Sequence, residues 1–187
     1  MSETKKDFFT ALYQVAKVVN ASLAAERVLE EIAACVADTM AVKACSLRIL
    51  ESRGKKLLMG AQVGLSDGYI RKGPVLVQKS RLDKKALKGE TIYLKNAQTD
   101  DDFQYKDKAR AEGIKSLLVV PLVVEKKAVG VLRVYTEKIR KFSADEIKFM
   151  EAVANLSAIA LENARLHQAL RRDYDLMVAH KYRLDDN

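Results

Sequence analysis

GIKSLLVVPLVVEKKAVGVLRVYT, residues 113–136, decides how this chain folds. Val and Leu fill it on both sides of Glu125-Lys126-Lys127, so it reads as two buried strands over 115–124 and 128–136 joined by a charged turn. By apolar content these two strands are expected at the centre of a sheet. Gly113, at the head of the stretch, supplies a left-handed stop for a helix expected over 105–112. Within the second strand, Val129, Val131, Arg133 and Tyr135 share one face, and Gly130, Leu132 and Val134 share the other. The second set is small and aliphatic, which suits helix packing. Arg133 and Tyr135 therefore face away from the helices.

Upstream, residues 44–50 alternate in the same manner, with Cys45, Leu47 and Ile49 against Ser46, Arg48 and Leu50. Arg53-Gly54-Lys55 turns this strand into a second one over 56–63, making an antiparallel hairpin whose Arg48 shares a side with Arg133. Before the hairpin, Phe8, Phe9, Leu12, Val15, Ala16 and Val19 recur at helical steps. Ser22 is then expected to cap a second helix over 24–40, with Val28, Leu29, Ile32, Cys35, Val36 and Met40 on its apolar face. Between the hairpin and Gly113, the glycines Gly64, Gly68 and Gly73 with Pro74 mark irregular backbone. A short helix over 82–87, a short strand over 90–94 and a polar loop carrying Asp100, Asp101 and Asp102 complete this part.

Downstream, Ser143 and Glu146 form a capping-box pair that starts a long helix, and no Gly or Pro interrupts the chain from Phe142 to Asn187. Leu156, Ile159, Asn163, Leu166, Leu170, Asp173, Met177, His180 and Leu184 follow at alternating three- and four-residue steps. Such a seam suits a parallel helix pair, with Asn163 fixing register and Asp173 and His180 weakening it. The expected dimer helix thus carries Leu156, Ile159, Asn163, Leu166, Leu170 and Met177. The competing reading is a long helix that packs on its own domain.

The 187 residues, 49% hydrophobic and 31% charged, suit one globular domain. Its longest apolar run, residues 117–124, is far short of the roughly 20 needed to span a bilayer. With no secretory segment and only Cys35 and Cys45, the chain is expected to be cytoplasmic with reduced thiols. The net charge of +8 is concentrated in residues 71–95. There Arg71, Lys72, Lys79, Arg81, Lys84, Lys85, Lys88 and Lys95 face only Asp83 and Glu90. That run is read first as a solvated surface, and nucleic-acid binding through it is not expected.

The runs 113–122 and 129–134, then Phe142-Ser143-Ala144-Asp145-Glu146, then residues 158–166 (AIALENARL), resemble in this order the motifs of the GAF domain family. The resemblance covers residues 7–170. It implies an α+β fold: a central antiparallel sheet, N- and C-terminal helices on one face, and a ligand pocket under short helices and loops on the other. Residues 1–170 are accordingly expected to form one GAF domain, and 171–187 a helical extension capable of coiled-coil pairing. The resemblance also implies a sensory or regulatory module of a signalling system rather than an enzyme.

Several branches of the family are disfavoured by residues. Phe142 is followed after two residues, not three, by Asp145-Glu146, and the Asn-Lys pair of cyclic-nucleotide binders is missing. Cys35 and Cys45 lie where a bilin-attaching cysteine is not expected, and His167 and His180, on the terminal helix, are poor haem ligands. No cysteine follows Cys45, so the thiolate of the free methionine sulfoxide reductases has no counterpart in the later loops. No catalytic set, metal-ligand cluster or cofactor is expected.

On the pocket side, the candidate ligand-binding residues are Arg48, Arg133 and Tyr135 from the sheet and the rim aromatics Tyr69, Tyr93, Phe103 and Tyr105. Two guanidiniums on one concave face suit a small anionic ligand, held bidentately. The alternative is that each arginine pairs with Asp100, Asp101, Asp102 or another carboxylate and closes the face. Two functions are thus expected: a homodimeric sensor of a small anion, or a ligandless dimerisation and interaction module that docks a signalling partner.

Overall fold

The structure, a computed structural model, describes residues 7–185, with side chains described through residue 179. Two helices, α1 (Phe8–Ala21) and α2 (Ala25–Met40), lead into the hairpin β1 (Ala44–Leu50) and β2 (Lys56–Val63). The crossing that follows holds α3 (Asp67–Ile70), the short strand β3 (Val75–Leu76), α4 (Arg81–Ala86), β4 (Ile92–Leu94) and α5 (Lys106–Glu112). The chain closes with β5 (Leu117–Val124), β6 (Lys127–Tyr135) and the long helix α6 (Ala144–Asp185).

One sheet results, in the order β3-β2-β1-β6-β5-β4, with every neighbouring pair antiparallel. The sequence-based expectation that β5 and β6 form its centre holds only for β6. The middle pair is β1 and β6, because β1 inserts beside β6 and leaves β5 one strand from the edge. Gly130 permits this pairing: a Cβ there would lie 2.3 Å from the Arg48 carbonyl oxygen. Pro121 sits on β5 beyond its last rung with β4, Ile92 opposite Val119, where one side of the strand has no partner and a missing N–H costs little. Gly113 ends α5 at φ 75°, as its position predicts.

The sheet separates two cores. The first lies between the sheet and α1, α2 and α6, and takes Cys45, Leu47, Leu118, Val120, Leu122, Leu132 and Val134 from the strands. The second lies under α3, α4 and α5 and takes Ala44, Leu57, Leu117, Val119, Val131 and Tyr135. The period-2 assignment carries through to the packing for β1 and for residues 131–135 of β6, whereas Val129, expected on the face of Arg133, packs against the first core, because the β5–β6 register shifts between Leu122 and Val123 beside it.

Local differences have identifiable causes. Ser22 does not cap α2: its hydroxyl accepts from Ala24 N–H at 3.0 Å, and α2 starts without a side-chain cap. Phe9, read as apolar-face, is 82% exposed, because Ala11, Val15 and Val19 define the buried stripe of α1 while Phe8 stacks on Phe149. The start of α6 is as expected: Glu146 N–H donates to Ser143 Oγ (3.2 Å) and Ser143 N–H to Glu146 Oε2 (2.9 Å).

α6 packs through Phe149, Met150, Val153, Ala154, Ser157, Ala158, Ala160 and Ala164. Of the expected dimer-helix residues, Leu156 rests against the first core, whereas Ile159, Asn163, Leu166, Leu170 and Met177 are exposed. His180 and Leu184, the last expected seam positions, lie outside the residues with described side chains. Among the described residues no helix is long and apolar enough to cross a membrane.

Candidate functional site: a buried basic cluster in the second core

Arg48 and Arg133 are brought together by register. Ser46 stands opposite Arg133 and Arg48 opposite Val131, so the two arginines are diagonal neighbours on adjacent strands and one face. Each is 1% exposed, and they are among the largest fully buried side chains of the protein. A charged guanidinium is costly to bury without acceptors for its N–H groups, so their partners decide what the arrangement is for.

Arg133 is paired. Its Nη2 donates to Asp83 Oδ1, and the other Asp83 oxygen accepts from Ser80 Oγ at 2.6 Å. Ser80 N-caps α4, and Asp83, three residues on, is turned inward by that cap. Burial works against the charge on Arg133, but the adjacent Asp83 carboxylate outweighs it and holds the guanidinium protonated, above the usual arginine range.

Arg48 is not paired in this way. Its Nε and Nη2 are buried without a hydrogen-bond acceptor. These two atoms share one edge of the guanidinium, the edge that binds both oxygens of a carboxylate or phosphate group in parallel. The other buried polar side-chain atoms without partners, among the described residues, are Arg133 Nε and the Tyr69 hydroxyl. Two of these four donors sit on Arg48, and each of the others belongs to a residue next to it in the second core. All can donate, and they lack an acceptor.

Tyr69 and Tyr135 wall the cluster with rings in edge contact at 6.2 Å. Tyr135 is tied by a 2.9 Å hydrogen bond to Ser46 Oγ. Burial first, then the neighbouring Tyr135, pushes the Tyr69 phenol well above its usual range, so it presents a neutral O–H. Phe103 is buried in the same core, and Tyr105 packs at its border, donating from its hydroxyl to the Pro74 carbonyl at 2.8 Å. Tyr93 does not join them. β4 places it opposite Leu118, whose side chain faces the helices, and its ring meets Phe142 edge-on at 6.0 Å.

Two residues that sequence reasoning did not single out complete the cluster: Asp83 and Lys72. Both were hidden in the basic run 71–95, where Asp83 reads as a surface acid and Lys72 as one base of eight. The Ser80-Asp83 spacing was the available signal for the first. The expected acids are elsewhere: Asp101 pairs with Lys106, and Asp102 with Lys85 at 3.3 Å and Arg81 at 3.7 Å.

The segment between Gly64 and Pro74 covers the cluster. It is pinned to α5 by Glu112, which accepts from the N–H and the hydroxyl of Ser66, and to the residue preceding α5 by the Tyr105–Pro74 bond. Cys45 and Cys35 pack on the other side of the sheet, and burial raises both thiols. The described cysteines therefore bring no thiolate to the second core.

The GAF domain profile matches residues 22–162, most of the chain. This chain belongs to the GAF domain family. The GAF domain of a phosphoenolpyruvate-protein phosphotransferase from Coxiella burnetii superposes with a TM-score of 0.79 at 20% identity, over 89% of this chain and 99% of that one. The corresponding domain from Acinetobacter gives 0.70 at 22% identity, over 89% and 97%. The free methionine-R-sulfoxide reductase of Neisseria meningitidis, in complex with its substrate, gives 0.73 at 17% identity, over 89% and 95%. No curated protein sequence matches the chain. At these identities the structural likeness establishes the GAF fold, and the family is one of sensory and regulatory domains.

Proposed function

We propose that this GAF domain is a sensor module that binds a small oxyanion in its second core and transmits the event through α1 and α6. The observation that carries this reading is the bidentate edge of Arg48, buried and without an acceptor. Leaving such an edge unsatisfied costs about 1–3 kcal/mol per group, more when charged, and an oxyanion with two coplanar oxygens removes that cost on binding. Tyr69 O–H and Arg133 Nε supply further donors. The reductase from Neisseria holds its substrate on a similar fold, which supports small-molecule binding here. We read this chain as binding rather than converting its ligand, because the groups left without an acceptor are guanidinium N–H donors and a neutral phenol.

Since Arg48 and Arg133 are sealed from solvent, access requires the 64–74 segment to lift from α5. The central β1–β6 pair carries Arg48 and Arg133 on one face and Leu47, Leu132 and Val134 against the helices on the other, so a shift at the cluster has a packed route to α6. The apolar residues left exposed on the terminal helices, Ile159, Leu166, Leu170 and Met177 with Phe9 and Tyr13, support pairing with a second copy. Native mass spectrometry tests both parts together. A dimer that retains a small acidic molecule, lost on Arg48→Met, is the expected result. A bare dimer that no small anion stabilises in thermal-shift screening favours a ligandless interaction module instead.

A further inference from the structure

Lys72 departs from the rest of the basic run. Arg71, Lys79, Arg81, Lys84, Lys85, Lys88 and Lys95 are exposed, whereas Lys72 turns toward the second core at the end of the covering segment. Its Nζ stands 3.6 Å from the centre of the Tyr69 ring, donates to the Tyr69 carbonyl at 3.3 Å, and lies 5.4 Å from the Tyr105 ring. The charged and titratable groups around it are Arg48 on β1, Arg133 and Tyr135 on β6, Tyr69 on α3 and Glu112 on α5, with Asp83 of α4 already committed to Arg133. Burial first, then the two guanidiniums, outweighs Glu112 and pushes the Lys72 amine from 10.5 down to about 6. Near neutral pH the amine is therefore largely uncharged. A negative charge placed at the Arg48 edge offsets the guanidinium repulsion that, after burial, keeps the proton off Lys72.

Given the second core as an oxyanion site, we propose that Lys72 is its second anchor, and that a compact dianion of the sulfate, phosphate or dicarboxylate type binds together with one proton taken from solvent onto the Lys72 amine. Asp83 offsets Arg133 and Glu112 is engaged by the Ser66 N–H and hydroxyl, so Arg48 and the newly formed Lys72 ammonium are the cations that meet the two negative charges of the ligand. The sign of the pH dependence follows. The bound state holds more protons than the free state above about pH 6, so affinity falls as pH rises, by up to about tenfold per unit, and levels off below about pH 6.

Titration calorimetry of the full chain with sodium sulfate, and separately with sodium malonate, at several pH values between about 7 and 8.5 and in buffers of different ionisation enthalpy, reads affinity and proton uptake together. Wild type is expected to take up close to one proton per anion, with Kd rising with pH. Lys72→Met keeps the aliphatic stem on Tyr69 and is expected to bind more weakly, with no proton uptake and a flat profile. If sulfate or malonate binds to wild type and not to Arg48→Met, but Lys72→Met takes up as many protons as wild type, the role of Lys72 is overturned and the Arg48 site stands. If neither anion binds wild type at any of these pH values, or if Arg48→Met binds as well as wild type, the site reading fails and the Lys72 proposal with it.

Discussion

Arg48→Met is expected to make the protein more stable in anion-free buffer, the reverse of what removing a buried core side chain normally does. Methionine has nearly the length of the arginine stem and packs in the same space between β1, β6 and Tyr69, while removing a charge whose Nε and Nη2 are buried without acceptors. Each such group costs about 1–3 kcal/mol, more when charged, and hydrophobic replacement of buried ionic groups has stabilised other proteins by about 1–4 kcal/mol. A gain of about 2–4 kcal/mol is the working figure. At this chain length a kcal/mol moves Tm by about 2–4 °C, so a rise of roughly 4–16 °C is expected in calorimetric melting, with a higher urea midpoint at unchanged slope. Sulfate adds the second half of the experiment. Binding at a hundredfold excess over Kd stabilises wild type by about 2.7 kcal/mol, whereas the variant has nothing to gain. If Arg48→Met melts below wild type in anion-free buffer, the arginine is serving the fold, and the reasoning that assigns its free edge to a ligand is refuted.

Other perturbations probe the parts separately. Asp83→Ala leaves Arg133 buried and unpaired and is expected to cost about 3–5 kcal/mol by chemical denaturation, a loss that added sulfate partly restores. Gly130→Ala drives a Cβ to 2.3 Å from the Arg48 carbonyl oxygen and is expected to cost at least about 1–3 kcal/mol, read as a lower urea midpoint. Lys72 binds fewer protons folded than unfolded between about pH 6 and 10.5, so its contribution to stability rises with pH across that window; Lys72→Met is expected to flatten the wild-type stability profile there. Leu166→Glu with Leu170→Glu leaves the first core untouched and is expected to give a folded monomer in light scattering if the exposed side of α6 pairs with a second copy.

Except at Val129, beside the register shift of the β5–β6 pair, the strands and their faces were legible in the sequence because period-2 alternation in residues 44–50 and 131–135 coincides with a real division between two cores. That is why Arg48, Arg133 and Tyr135 could be placed on one side before any coordinates. Tyr93 could not. A three-residue strand carries too little alternation to fix its face, and its orientation is set by pairing with Leu118. The place of β5 at the centre does not hold because apolar content marks burial, whereas the centre of this sheet is fixed by β1 returning beside β6. Lys72 and Asp83 escaped notice for a shared reason: a run of charges reads as one solvated surface, and only tertiary packing shows which members turn inward. Phe9 shows the converse, an apolar residue on a helical stripe that the register of Ala11, Val15 and Val19 leaves outside.

Anomalous diffraction from a selenate-soaked crystal tests the anion site itself most directly. The strongest selenium peak is predicted in the second core, with selenate oxygens about 2.7–3.2 Å from Arg48 Nε and Nη2 and within reach of the Tyr69 hydroxyl. Peaks confined to exposed bases such as Lys84 and Lys88 on and beside α4, with none beside Arg48, would contradict the account.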